Sequence, residues 1–324
     1  MEYNNEINQI VISKKKILGI TEGIKSIKIS NLGAGENNLN LLVVVNKSYK
    51  FVFRIAMRPS TEKNMKNEFR YLEIIPKNYG PEPLYFDNSK KVMNAVFSVL
   101  RYIEGKHVKY WSKKYLKMHA LKMAELHRRK YPFCGRLNKK QKVFDIYKKF
   151  QSEIKKYSQE SSWLLNDPDI KRLLPMIKHS LKSNNHLFIS IKKFSMIHND
   201  LLISNILFTK EGFRYIDWEW LCFRDPAKDV SKLFFKTHSL PPWRIKLTNK
   251  RLDYYLDTYL KYNPDKTLKQ RIDILLDYDK FLELLYFKWK VKNYHKEKTT
   301  ALSKKHYEKS IRIMVNSLKK KFLK

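Results

Sequence analysis

Four polar residues within a short stretch of the chain, from His198 to Asp217, have types and spacing that could do chemistry. His198 and Asp200 open the polar part of an otherwise apolar run, "IHNDLLISNILF", and Asn205 follows Asp200 by five residues. Asp217 comes twelve residues after Asn205, in "YIDWEW". A carboxylate beside a hydroxyl can take its proton. An amide oxygen and a second carboxylate suit a hard cation such as Mg²⁺ when phosphate oxygens complete its shell. Asp200 therefore reads as a base, and Asn205 and Asp217 as metal ligands. His198 reads as a hydrogen-bonding scaffold residue. Glu219 is either close to the metal or a contact to an acceptor. Upstream, Arg54 places a charge in the apolar run "FVFRIAM". A buried charge needs a partner, and Glu68 on the following segment is the natural one; the alternative is an Arg54 that faces out from an edge strand. Gly33 and Gly35 flank Ala34, where backbone N–H groups can approach an anion closely or simply turn a hairpin.

These residues need elements to hold them. "KSIKIS" at 25–30 alternates as a strand does and then meets the turn cluster "NLGAGENN" at 31–38. Residues 39–45 and 50–57 are β-rich, with "NKSY" as the hairpin turn between them. Residues 60–75 change to helical spacing, with Ser60 or Thr61 as cap and Met65, Phe69 and Leu72 on one stripe. "EPLYFD" and "VMNAVFSVLRYI" read as two more strands. Beyond "EGKHV" the pattern becomes helical, over 112–130, 139–157 and 167–183, and Pro175 is expected to kink or end the third helix. The run from Phe194 and the one from Phe213 read as a loop flanked by short strands, and further helices fill 225–324. The expected fold class is α+β: a β-rich lobe, 1–103, with one helix, and a larger α-rich lobe, 104–324.

Composition narrows the class. Of 324 residues, 43% are hydrophobic, enough for a substantial core. The 67 Lys and Arg against 31 Asp and Glu leave a net charge of +36. Such a charge fits a polyanionic partner, RNA or an anionic membrane; it also fits an AT-rich genome, whose codons favour the abundant Lys, Ile, Asn, Tyr and Phe. Cys134 and Cys222 stand far apart, with no CxxC, so no disulfide framework or Cys/His metal motif is expected. The first ten residues are polar and unlike a signal peptide. No apolar run approaches the ~20 residues of a membrane helix. A cytoplasmic protein is the expectation.

"IHNDLLISNILF", "YIDWEW" and "DPAKDV" together resemble the aminoglycoside phosphotransferase and choline kinase superfamily of small-molecule kinases, whose pattern is HxDxxxxN, then IDWE or IDFE, then DPxxD. "MAELHRR" resembles the family's helix ending in a Leu-His pair, and the likeness spans roughly residues 25 to 240. The resemblance implies a two-lobed protein-kinase-like fold with a small antiparallel sheet, and ATP and Mg²⁺ as cofactors. It implies Asp200 as general base, Asn205 and Asp217 on Mg²⁺, and Arg54 on the ATP phosphates, where many kinases use Lys, with Glu68 as its anchor. It implies a hinge at "SVLRYIEG", with backbone groups of Arg101 and Ile103 on the adenine edge, and Asp229 as a prop for the loop around Asp200. The glycine loop is short, only "GAG", and Ser204 stands where the family usually has Gly.

The acceptor is less legible. Residues 251–283 are the one stretch where acids balance bases. Asp253 and Asp257, and Asp273 and Asp277, are spaced to share a helix face, and Tyr278, Phe281, Tyr286, Phe287 and Trp289 lie near them in sequence. Carboxylates with aromatics suit a cationic acceptor such as choline or an aminoglycoside; they equally suit a solvated face over an aromatic core. Glu219, Asp273, Asp277 and Trp289 are the candidate acceptor contacts, and a sugar or a phosphorylated metabolite stays open. The tail "KSIRIMVNSLKKKFLK" is an amphipathic helix candidate, for an anionic membrane or for packing on the large lobe. The reading is an ATP- and Mg²⁺-dependent kinase of a small-molecule hydroxyl with no obligate protein partner. The alternatives are a kinase-fold protein acting on RNA or an anionic membrane, and a non-catalytic nucleotide-binding regulator.

Overall fold

The computed structural model describes residues 3–34, 38–108, 110–235, 247–295 and 302–323. The chain forms two compact units: Met1–His107 with Asn205–Trp220, and Val108–Ser204 with Leu221–Lys324. The first difference from a single cut after residue 103 is the segment Asn205–Trp220, which belongs with the β-rich unit.

In chain order the elements are α1 (Asn4–Ser13), β1 (Ile27–Ala34), β2 (Asn38–Val45), β3 (Tyr49–Ala56), α2 (Pro59–Ile74), β4 (Pro83–Asp87), β5 (Phe97–Arg101) and β6 (Lys106–His107). Then come α3 (Lys113–Arg128), β7 (Lys130–Tyr131), β8 (Cys134–Arg136), β9 (Lys139–Gln141), α4 (Ile146–Glu160), α5 (Trp163–Asn166), α6 (Pro168–Ser183), α7 (His186–Ile189) and β10 (Phe194–Ile197). A 3₁₀ turn, Ile203–Asn205, leads to β11 (Ile206–Thr209) and β12 (Gly212–Tyr215). The rest is β13 (Cys222–Arg224), α8 (Ala227–Ser231), α9 (Asn249–Tyr262), α10 (Leu268–Lys292) and α11 (Lys304–Phe322).

The first unit is an antiparallel sheet in the order β1-β2-β3-β5-β4, with α2 inserted between β3 and β4. Alternation sorts its side chains. Leu41, Val43, Val45, Phe51, Phe53, Ile55, Phe97 and Val99 enter one core, which Ile7, Ile10 and Val11 of α1 complete. The opposite face is left for Asn40, Val52, Arg54 and Leu100, which line a cavity. The hairpin β11–β12 joins this unit by pairing with β6. It is anchored again where the Tyr215 N–H donates to the Tyr79 carbonyl, 2.6 Å away.

The second unit is mainly helical, with a small sheet in the order β7-β10-β13-β8-β9. The helix expected over 139–157 starts at Ile146 instead. Asp145 caps it by accepting from the Lys148 N–H, and Lys139–Gln141 pairs with β8 as a strand. Pro175 does not end its helix: α6 continues to Ser183, because Leu173, Ile177 and Leu181 are buried on both sides of the proline. The strand expected over 92–103 is confined to Phe97–Arg101. In α11 the stripe Met314, Val315 and Leu318 is buried against α10 and α6, so the tail packs within its own unit. No helix among the described residues is long and apolar enough to cross a membrane.

Candidate active site

In the first unit Arg54 is the centre. Its guanidinium, on a residue 9% exposed, donates from Nη1 to Glu68 Oε1 at 2.6 Å and from Nη2 to Asp217 Oδ1 at 3.0 Å. The same Glu68 oxygen accepts the Trp218 N–H at 3.2 Å. One cation thus ties β3, α2 and the segment after β12 together. Burial works against the Arg54 charge, but Glu68, then Asp217 and Glu219, outweigh it and hold the guanidinium above its ordinary pKa. Burial pushes Glu68 up to about 7, Arg54 opposes, and Asp217 and Glu219 add to the rise. Three carboxylates thus act on one guanidinium.

The turn after β12 is tightly specified. Trp218 is fully buried and donates from Nε1 to the Tyr215 carbonyl at 2.8 Å. A Cβ at Gly80 would stand 2.9 Å from Trp218 Nε1 and 2.5 Å from Ile75 Cδ1, so any side chain there would have to displace them. Asp217 has φ +66°, a left-handed conformation that costs a non-glycine residue and that collects at functional positions. Asn205 is held by its carbonyl, which accepts the Ile216 N–H at 2.9 Å. A cavity of about 380 Å³ is lined by Arg54, Asn205 and Asp217 together with Arg101 and Ile103. Its volume lies in the range of small-ligand sites.

The second unit carries Asp200, just past the end of β10. Asp229 clamps this loop: its Oδ2 accepts the His198 N–H and its Oδ1 the Asn199 N–H, both at 2.8 Å. His127 stands 3.3 Å from Asp229 Oδ2 through Nε2 and 3.0 Å from the Tyr259 hydroxyl through Nδ1. Burial would raise the Asp229 carboxyl, but His127 and His198 outweigh it and keep it below the ordinary carboxylate value. Asn199, like Asp217, has positive φ, +68°. His198 is fully buried and its Nδ1 accepts the Asp200 N–H at 3.3 Å, which makes it a scaffold residue. Two ion-pair groups brace the same region. Arg271 grips Asp225 with Nε at 2.7 Å and Nη2 at 3.1 Å and also meets Asp265, and Asp279 meets Lys228 and Lys232. Asp279 and Asp200 are foremost among the carboxylates that, against burial, hold Lys232 above its ordinary pKa.

The remaining expected positions divide. Gly33 lies in β1 opposite Asn40, next to a register shift, and Gly35 falls outside the described residues. The Arg101 N–H is committed to the Glu82 carbonyl at 2.8 Å, which leaves only its carbonyl for a ligand. Glu219 is buried. Asp273 is exposed on α10, whereas Asp277 is buried and ion-paired to Lys321 and Lys280, so it is committed to holding α11. Trp289 has the Lys290 ammonium 5.8 Å from its ring, a cation already on the aromatic that a cationic acceptor would use. Asn40 and His107 also line the cavity. The spacing of β2 could have flagged Asn40, a polar residue among Leu and Val.

Residues 28–268 match the model of the phosphotransferase enzyme family. The chain belongs to that family. Protein LicA of Haemophilus influenzae is 24% identical to this phosphotransferase over 284 residues, 84% of this chain and 75% of LicA. The Plasmodium vivax ethanolamine kinase shares its fold at TM-score 0.65 and 13% identity, over 96% of this chain and 89% of that one. The streptomycin–ATP–APH(2″)-IIa ternary complex does so at TM-score 0.62 and 16% identity, over 97% and 96%. The phosphotransferase has the protein-kinase-like α+β fold of those enzymes.

Proposed function

We propose that this phosphotransferase moves the terminal phosphoryl group of ATP to a hydroxyl of a small amino alcohol of the choline or ethanolamine type. Sugars and aminoglycosides are the other acceptors with the same reacting group. The observation that carries the reading is the Arg54–Glu68–Asp217 cluster with Asn205 at one cavity.

The first unit is the nucleotide-binding part and the second the catalytic and acceptor-binding part. Val52 and Leu100 offer the base an apolar wall, and the Arg101 carbonyl and Ile103 backbone its hydrogen-bonding edge. Arg54, fixed by Glu68, holds phosphate oxygens; a fork already anchored on one side loses little entropy on binding. Among the described residues no cluster of three or more His, Cys, Asp or Glu is built for a metal. Mg²⁺ needs none, since it takes one or two protein oxygens and completes its shell with phosphates and water. The Asn205 and Asp217 oxygens fit that role. Bound there, Mg²⁺ would neutralise charge developing on the transferred group. Asp200 accepts a hydrogen bond from the acceptor hydroxyl and takes its proton as the oxygen attacks. The Asp229 clamp and the His198 ring hold that carboxylate in place.

Release of ADP in the presence of Mg²⁺, followed over choline, ethanolamine, sugars and aminoglycosides, tests the proposal. It expects turnover that needs both Mg²⁺ and one of the alcohols. Turnover equally fast without Mg²⁺, or none with any alcohol while the protein binds ATP, would remove it.

A further inference from the structure

Behind the Asp229 clamp, a chain of hydrogen bonds runs out to the end of α9. Asn263, the C-cap residue of that helix, donates from its amide nitrogen to the Ala124 carbonyl at 3.0 Å and to the Tyr259 hydroxyl at 3.3 Å. The hydroxyl lies 3.0 Å from His127 Nδ1, and His127 Nε2 lies 3.3 Å from Asp229 Oδ2. Asp229 receives the His198 and Asn199 N–H groups of the loop that carries Asp200. His127 and Tyr259 are both buried, so each polar atom depends on its protein partner.

The hydrogens on this chain follow by elimination. Asp229 is held below the ordinary carboxylate value, so it is ionised and only accepts. His127 Nε2 must then carry the hydrogen that points at it. In a neutral imidazole the other nitrogen is bare and needs a donor, and the Tyr259 hydroxyl is the group that meets it. The Ala124 carbonyl can only accept, which fixes the orientation of the Asn263 amide. Its second hydrogen goes to the Tyr259 oxygen and leaves the hydroxyl hydrogen for His127. Were His127 to donate from Nδ1 instead, a buried hydroxyl hydrogen would have no acceptor. Burial also raises the Tyr259 pKa well above its ordinary value, which keeps the hydrogen on that oxygen. The backbone of His127 is fixed separately, since the Ser195 hydroxyl donates to its carbonyl at 2.6 Å. What remains for Tyr259 and Asn263 to set is the ring.

We propose that Tyr259 and Asn263 are positioning residues for phosphoryl transfer. They hold His127 in its Nε2–H tautomer, and through it they aim Asp229 at the loop of Asp200. The inference rests on Asp200 as the base, the reading given above.

Nitrogen NMR of the histidine rings in the isotope-labelled full chain, beside steady-state kinetics, tests it in the wild type, Tyr259→Phe, Asn263→Ala and Asn263→Asp. Wild-type His127 is expected to carry its hydrogen on Nε2 and none on Nδ1. Tyr259→Phe keeps the ring and loses the hydroxyl. It is expected to lower kcat about tenfold, on the scale of one hydrogen bond. The KM for ATP should not change, since the nucleotide cavity is lined from the first unit; that constancy also shows the variants to be folded. Asn263→Asp turns a donor into an acceptor, which draws the Tyr259 hydrogen to itself and calls for a hydrogen on His127 Nδ1. It is expected to show that hydrogen and to lower kcat more than Asn263→Ala does. The inference is overturned by a wild-type His127 protonated on Nδ1, by an unchanged kcat in Tyr259→Phe, or by Asn263→Asp turning over as fast as Asn263→Ala. A rise in the KM for ATP that matches the fall in kcat overturns it too, as the mark of a general loss of structure. A wild type that shows the expected tautomer but transfers phosphate to no alcohol would instead remove the transfer reading on which the inference rests.

Discussion

Arg54 sits between two carboxylates, and its removal has different consequences from its replacement. Arg54→Ala strands Glu68, 2% exposed, without its cation. Breaking one side of a buried pair costs about 3–5 kcal/mol, so chemical denaturation should show Arg54→Ala destabilised by that order. Arg54→Lys keeps the charge but loses the fork that meets Glu68 and Asp217 together. It should lose less stability than the alanine variant and still raise the KM for ATP. Equal stability of wild type and Arg54→Ala would show that the pair is dispensable. The pairing of Arg54 with Glu68 was legible from one feature, a charge inside an apolar strand with a Glu fourteen residues on. Its second bond, to Asp217, was not, because it joins residues 163 positions apart.

At the scale of elements, the loop after β10 depends on a helix thirty residues later. Asp229 of α8 supplies both oxygens that receive the His198 and Asn199 N–H groups. Asp229→Ala leaves two backbone donors and His127 without their acceptor. A buried donor left unsatisfied costs about 1–3 kcal/mol, so melting should show a loss of at least that size, and kcat should fall more than the KM for ATP rises. A kcat unchanged by Asp229→Ala would separate the clamp from catalysis. Asn199 has positive φ, so Asn199→Gly should be neutral in melting, whereas Asn199→Val should be destabilising. The motif letters placed this clamp through resemblance, since DPxxD names Asp229. Periodicity alone missed the short strands β7, β8 and β9, which have two or three residues each and no alternation to read. It also ran one helix back through 139–145, because a run of Lys and Gln suits a helix until Asp145 caps its true start. Pro175 does not end α6, where the buried stripe outweighs the lost backbone bond.

Across the whole molecule, burial decides what titrates. His119 is fully buried beside Trp111, with Nδ1 3.1 Å from the Tyr255 hydroxyl. Burial lowers its pKa from 6.5 to about 3; Asp229 opposes that fall and His127 adds to it. The unfolded chain therefore takes up this proton first as pH falls. The contribution of His119 to stability is complete above pH 6.5 and declines below it until about pH 3, at about 1.4 kcal/mol per pH unit. His119→Gln should flatten that acid slope in denaturation series, and a slope unchanged by the substitution would assign it elsewhere. Composition could not foresee this, since burial of one His in a helix stripe is set by packing. Nor could composition separate the two readings of the basic tail; burial of Met314, Val315 and Leu318 accounts for its apolar face.

The central claim is phosphoryl transfer with Asp200 as the base, and transfer of label from γ-labelled ATP to the accepted alcohol tests it most directly. With Mg²⁺, the wild type should place the label on the alcohol. Asp200→Asn should transfer it about 10²–10⁴-fold more slowly, the range for loss of a general base, at unchanged ATP affinity. Transfer at the wild-type rate by Asp200→Asn would contradict the account.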